Sequence, residues 1–358
     1  MTQLIPDDVE RFVGDGGDLP DRPPPDGLTD DRLVAILESI AFLRTFDERA
    51  VALQRQGRIG TYPPFWGEEG TQAGAFHALA DGDWIFPSYR QSAIGILRGV
   101  RPSKIYKYRR GYGGEHGFWI AREHRVAPMT VAIGTQIPHA VGLAWAAKTK
   151  GENVASLVFF GDGATSEGDF HEAMNFAAVF KTPTIFFCTN NQWAISTPVS
   201  RQMATATVAE KADAYGMPGV RIDGFDPLAC WKATSDARAR AEAGDGPTLI
   251  EAFCYRLAPH GTADDPGRYR DEGLTEEWRR LEPLGRFADY LIRGGVLDRS
   301  GVDAILAGAK ERIAEAVVEL EEGDAPPPDV LFEHVYAGPD PWTFAAARQE
   351  LGDASGAP

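Results

Sequence analysis

The chain is predicted to adopt an α/β fold: a mostly parallel sheet with helices on both faces, flanked by helical N- and C-terminal extensions. The prediction rests on short apolar runs at 154–160, 184–189, 219–223 and 248–255, and on helical patterns between them at 166–180, 208–215 and 227–242. Strand and helix in alternation make right-handed crossovers, which produce parallel strands covered on both faces. Ligands of such sheets bind outside the carboxyl ends of the strands. A site is therefore expected just after Phe160, Thr189, Asp223 or Tyr255.

In chain order, residues 1–27 read as an acidic, partly ordered arm with neither a basic, apolar leader nor an Arg-rich transit character, as in a cytoplasmic protein. Apolar residues at helical spacing from Leu33 to Phe46 predict a helix over 28–56, capped by Thr29 or Asp30. Gly57, Gly60, Pro63 and Pro64 end it, and a second helical run covers 68–80. The α/β domain spans 28–273. Amphipathic patterns at 275–293 and 301–322 then predict a helical C-terminal extension over 274–358.

Composition removes several functions. The chain has 36 Lys+Arg against 52 Asp+Glu, a net charge of −16, and no basic block, which argues against a nucleic-acid partner. No apolar run approaches the length of a membrane span. Cys188, Cys230 and Cys254 stand far apart without a CxxC spacing, which excludes a disulfide scaffold and a structural zinc site. An anionic ligand must therefore be held by local devices.

One such device follows the first apolar run, where Gly161-Asp162-Gly163-Ala164-Thr165-Ser166 leads into a helix. Glycines allow a phosphate to approach the backbone, and a helix N-terminus favours an anion. Ser166 breaks the Rossmann fingerprint, and Asp169 after Gly168 breaks the P-loop, so neither familiar phosphate loop fits. Asp162 would repel a diphosphate unless a hard cation lay between them, as Mg²⁺ does with oxygen ligands. The next strand ends in Asn190-Asn191-Gln192-Trp193, which brings an amide oxygen to the same edge. Taken singly, Asp162 reads equally well as a turn residue and Asn191 as a helix cap; their placement at adjacent strand ends favours the metal.

The GDG…NN pattern from Gly161 to Asn191 resembles the thiamin-diphosphate signature. GDGATSEGDFHEAMNFAAVF, NNQWAISTP, YRLAPHGTADDPGRYR, DWIFPSYR and AIGTQIPHAVG together resemble the alpha subunit of the decarboxylating component of 2-oxo acid dehydrogenase complexes, of pyruvate or branched-chain type. The resemblance implies a thiamin-diphosphate-binding fold and assigns Mg²⁺ to Asp162, Asn191 and the carbonyl of Trp193. It places the diphosphate on Gly161, Gly163 and Ala164, and the terminal phosphate on Tyr89 and Arg90, where a guanidinium fork suits phosphate oxygens. His260 is implied as a phosphate-side or catalytic histidine. Val131 and Ile133 are implied as cofactor contacts, Ile133 propping its two rings in a bent arrangement, although an Ile is commonly plain core. Thr130, Thr135 and Gln136 stand where some relatives bind K⁺.

The implied activity is decarboxylation of a 2-oxo acid at the cofactor's thiazolium carbon, with acyl transfer to a lipoyl group on an acyltransferase component. The implied assembly has two alpha and two beta chains, the beta chain bringing the glutamate that activates the cofactor. TYPPFWGEEG and NNQWAIST lean slightly toward pyruvate, with branched-chain 2-oxo acids next. Alternatives are an acetoin dehydrogenase alpha subunit, a Rossmann-type NAD-dependent dehydrogenase and a non-catalytic scaffold. The chain departs from the pattern at Thr189, where some relatives place Arg or Gln, and at Gly261, where mitochondrial relatives carry a regulatory phosphoserine. His116 and His124, in GYGGEHGFWIAREHRVAP, have no assignable role, though that stretch corresponds to a substrate-gating loop.

Overall fold

A computed structural model describes residues 4–19, 23–112, 122–322, 325–333, 335–338 and 341–355. Helix α1, Asp30–Arg55, starts where Thr29 Oγ1 accepts from Arg32 N at 3.3 Å, and it buries the predicted stripe from Leu33 to Phe46. Then come α2 (Glu69–His77), strand β1 (Trp84–Phe86), α3 (Pro102–Arg109) and α4 (Gln136–Thr149). Strand β2 (Ser156–Gly161) leads through a 3-10 turn, Asp162–Ser166, into α5 (Gly168–Phe180) and β3 (Thr184–Asn190). A small hairpin of β4 (Trp193–Ala194) and β5 (Thr197–Pro198) precedes α6 (Val199–Gln202) and β6 (Gly219–Asp223). Helix α7 (Pro227–Glu242), capped by Asp226 on the amides of Leu228 and Ala229, returns to β7 (Thr248–Phe253). Helices α8 (Glu272–Arg279), α9 (Pro283–Arg293), α10 (Arg299–Glu321) and α11 (Trp342–Ser355) complete the chain.

The five main strands are parallel in the order β1-β2-β3-β7-β6. Their runs are continuously apolar because both faces are covered. Leu157, Phe159, Ile185, Phe187 and Ile250 pack with α1, α2, α7 and α10, while Val158, Phe160, Phe186, Cys188 and Leu249 pack with α4 and α5. All three cysteines are buried and free. Among the described residues, no helix is long and apolar enough to cross a membrane.

Several expectations need correction. The pattern at 275–293 is two helices, because Pro283 has no N–H to give and Glu282 turns back to accept from Leu284 N and Gly285 N at 3.1 and 2.6 Å. The stretch 208–215 is a 3-10 helix, Ala209–Tyr215, and β1 and α4 were not foreseen as elements. The arm is acidic in composition yet buries Ile5, Val9, Phe12 and Val13. Glu10 bridges Ile222 in parallel, extending the sheet at β6. Asp226 Oδ2 accepts from the amides of Phe12 and Val13, and Arg286 pairs with Asp223 at 2.7 Å. The end of β6, one of four strand ends named as site candidates, is thereby filled by the arm.

His77, at the end of α2, bonds through Nε2 to Ser39 Oγ at 2.9 Å, and burial pushes its imidazole down to about 4. The unfolded chain takes up this proton near 6.5 and the folded chain only near 4, so the stability present above 6.5 is lost as pH falls through that window. The loss amounts to at most about 3 kcal/mol. Urea unfolding at pH 7 and pH 4.5 checks this, and His77→Gln is expected to flatten that part of the profile.

Candidate active site

A cavity of about 600 Å³ opens at the carboxyl ends of β1, β2 and β3, and the loop after β7 closes one side. Of the four strand ends named in advance, those of β2, β3 and β7 contribute. Gly161, Asp162, Gly163 and Ala164 line it from the 3-10 turn, Asn191 and Trp193 from beyond β3, Tyr89 and Arg90 from beyond β1, and His260 from the β7 loop. Val131 and Ile133 line it too, 67% and 42% exposed, so Ile133 is not core.

Asp162 is 1% exposed, and its Oδ2 has no hydrogen-bond partner. Burial pushes its carboxyl up to about 7, against the opposing pull of its own backbone amide and the nearby Arg256. The turn itself is held through the backbone, since Asp162 O accepts from Thr165 Oγ1 at 2.8 Å and Gln202 Nε2 at 2.6 Å. A Cβ on Gly161 would enter open space, whereas one on Gly163 would meet Ala194 Cβ at 3.1 Å. The loop is thus open to a ligand at its first glycine and packed against β4 at its second.

Asn191 Nδ2 donates to Glu68 Oε1 at 2.7 Å, which fixes the amide so that Oδ1 faces away from the acid. Glu68 also accepts from Gln91 Nε2 at 3.1 Å and lies 3.7 Å from Arg90 Nε. Burial raises its carboxyl, opposed by Arg90 and Asn191. The Trp193 carbonyl accepts from Arg256 Nη1 at 3.1 Å, leaving it a second lone pair. A buried orphan carboxylate oxygen, an oriented amide oxygen and a carbonyl form an oxygen donor set suited to Mg²⁺ that takes its remaining ligands from phosphate. The buried Thr189 Oγ1, also without a partner, lines the same cavity.

Tyr89, Arg90 and His260 come together next to Glu68. Arg90 Nη2 lies 3.2 Å from both His260 Nδ1 and His260 O, and the Tyr89 and His260 rings meet edge-on at 5.9 Å. Burial, then Arg90 and Arg256, push the imidazole of His260 down to about 4. It is neutral at physiological pH, with Nδ1 accepting from Arg90 and Nε2 carrying the proton.

Not every candidate converges. Thr130 and Gln136 line the cavity but bond each other, Gln136 also donates to Phe159 O at 2.8 Å, and Thr135 is not part of the lining. His124 Nδ1 lies 2.8 Å from Arg98 O, away from the cavity, and His116 falls outside the described residues. Sequence reasoning missed Glu68, Arg109 and Arg256. Glu68 and Arg256 sit in the quoted stretches TYPPFWGEEG and YRLAPH; for Arg256 the available signal was a charge between Tyr255 and Leu257, and for Glu68 there was none.

The chain is similar to known proteins. Residues 38–329 match the family model described as "Dehydrogenase E1 component". The chain is 45% identical over 327 residues to the 3-methyl-2-oxobutanoate dehydrogenase subunit alpha of Mycobacterium tuberculosis (strain ATCC 25618 / H37Rv), covering 90% of this chain and 88% of that one. It is 40% identical over 310 residues to the pyruvate dehydrogenase E1 component subunit alpha of Staphylococcus aureus (strain Mu50 / ATCC 700699), covering 86% and 83%.

Proposed function

The chain belongs to the dehydrogenase E1 component family as a 2-oxo acid dehydrogenase alpha subunit, and on that premise we propose that it binds thiamin diphosphate with Mg²⁺ and acts on a branched-chain 2-oxo acid. The observation that carries the cofactor reading is the buried, unpartnered Oδ2 of Asp162 beside the oriented amide of Asn191. Asp162, Asn191 Oδ1 and Trp193 O hold the cation. Gly161, Gly163 and Ala164 receive the diphosphate, and Tyr89 and Arg90 take its end. His260 donates from Nε2, while Val131 and Ile133 support the rings. When bound, thiamin diphosphate supplies the nucleophilic carbon and the electron sink for loss of CO₂. The chain's own part is to bind, orient and exclude water.

The identities run slightly against the lean toward pyruvate, at 45% to the branched-chain relative and 40% to the pyruvate one. Pocket residues worth only about 1–3 kcal/mol each set such choices, so a direct comparison is needed. The acyl group passes to the lipoyl group of an acyltransferase component, and a beta subunit completes the enzyme. The test is turnover of 3-methyl-2-oxobutanoate, pyruvate and acetoin by the co-expressed alpha–beta pair. The highest kcat/KM is expected for the branched-chain acid; oxidation of acetoin with no turnover of either 2-oxo acid would overturn the reading.

A further inference from the structure

We propose that Arg109, at the end of α3, binds the carboxylate of the 2-oxo acid substrate. The proposal rests on the function proposed above and adds a residue that neither the motifs nor the comparisons assign. Arg109 lines the same cavity as Asp162 and Arg90. Its position is fixed from the backbone, since its carbonyl accepts from Gly60 N at 2.7 Å. Its guanidinium lies 5.6 Å from the Tyr62 ring centroid, and Nη2 donates to Tyr89 O at 3.0 Å, Ser92 Oγ at 3.1 Å and Met129 Sδ at 3.3 Å. Those bonds use one nitrogen of the fork; Nε is buried without a partner.

What sets Arg109 apart is its charge within the cavity. The other arginine of the lining, Arg90, lies 3.7 Å from Glu68. Among the described residues, no carboxylate pairs with Arg109, whose strongest surroundings are burial, two tyrosines and Arg90. A half-buried cation without a countercharge is poorly solvated, and a ligand anion compensates it.

Two anions are expected in this cavity, and they sort by charge. Asp162 feels Arg256, Glu68 and Arg90, whereas Arg109 feels Tyr62, Tyr108 and Arg90. Arg90 thus stands between a corner crowded with acids, where a diphosphate needs Mg²⁺, and a wall with a cation and no acid. Like charges separate, so the singly charged substrate carboxylate goes to the Arg109 wall. Such a contact stabilises the acid before CO₂ leaves, and its signature is in KM rather than kcat.

The test uses the co-expressed alpha–beta pair. R109Q is expected to raise KM for 3-methyl-2-oxobutanoate about 10- to 100-fold, the range for a charge-assisted contact, with kcat changed by less than about threefold. R109K restores part of the affinity because it keeps the charge and loses the fork. Dye-linked oxidation of 2-methylpropanal, which enters the same reaction without a carboxylate, keeps its wild-type rate, and fluorescence titration with thiamin diphosphate and Mg²⁺ is unchanged. Equal losses with acid and aldehyde, an unchanged KM for the acid, or weakened cofactor titration would each overturn the proposal. A wild-type pair inert toward all 2-oxo acids would overturn the functional reading itself, an outcome distinct from an active wild type with an indifferent R109Q.

Discussion

Asp162→Ala is expected to abolish Mg²⁺-dependent binding of thiamin diphosphate while leaving the melting temperature at or above that of the wild type. The two halves of this result come from one observation. The carboxylate is buried and its Oδ2 bonds to nothing in the protein, so the side chain costs the fold a desolvated acid, marked by a pKa pushed up to about 7. The bonds that shape the turn, from Thr165 Oγ1 and Gln202 Nε2, go to the Asp162 carbonyl and survive the substitution. Removing an orphan acid therefore relieves the metal-free chain. Removing the one carboxylate in the donor set takes away the charge that draws Mg²⁺ between protein and diphosphate. Ligand-orienting groups one shell further out already cost about 10- to 100-fold, so the loss of affinity here is expected to exceed about 100-fold. Calorimetric titration of the alpha–beta pair with cofactor at fixed Mg²⁺ measures it. Unchanged affinity would remove Asp162 from the metal site, and a large drop in melting temperature would make it a structural residue.

The legible and illegible parts of the site divide by sequence distance. Asp162 and Asn191 could be placed together because each follows a run of apolar residues, and β2 and β3 are neighbours with Gly161 opposite Thr189. The edge strand β1 escaped, since three residues are too few to show a period. Glu68 was hidden for another reason: its partners Asn191, Gln91 and Arg90 lie up to 123 positions away, and nothing local distinguishes it from Glu69, which turns to Arg44 instead. Arg256 orders the β4–β5 hairpin by bonding Trp193 O and Ile195 O, a role visible only once the hairpin is formed. In the arm, four apolar residues stand among acids. They dock because the β6 edge supplies backbone partners.

The chain purified alone is expected to turn over 2-oxo acids at least about 1,000-fold more slowly than the alpha–beta pair, within the range that loss of a general base produces. Bound thiamin diphosphate would supply a carbon acid that needs a base, and the groups lining this cavity are already committed. Glu68 accepts from Asn191 and Gln91 and faces Arg90; Asp162 is the candidate metal ligand; the neutral His260 has its free lone pair turned to Arg90. The mouth is equally incomplete. Val131, Ile133 and Ile195 are 67%, 42% and 56% exposed there, apolar surface that excludes water only when another chain covers it. A beta subunit that brought a carboxylate into that opening would supply both missing functions, whereas added Mg²⁺ or excess cofactor would supply neither. Titrating the purified chain with its beta partner should therefore raise dye-linked oxidation of 3-methyl-2-oxobutanoate in proportion to the partner added, until the two are equimolar. Full turnover by the chain alone would mean that a base within this cavity suffices.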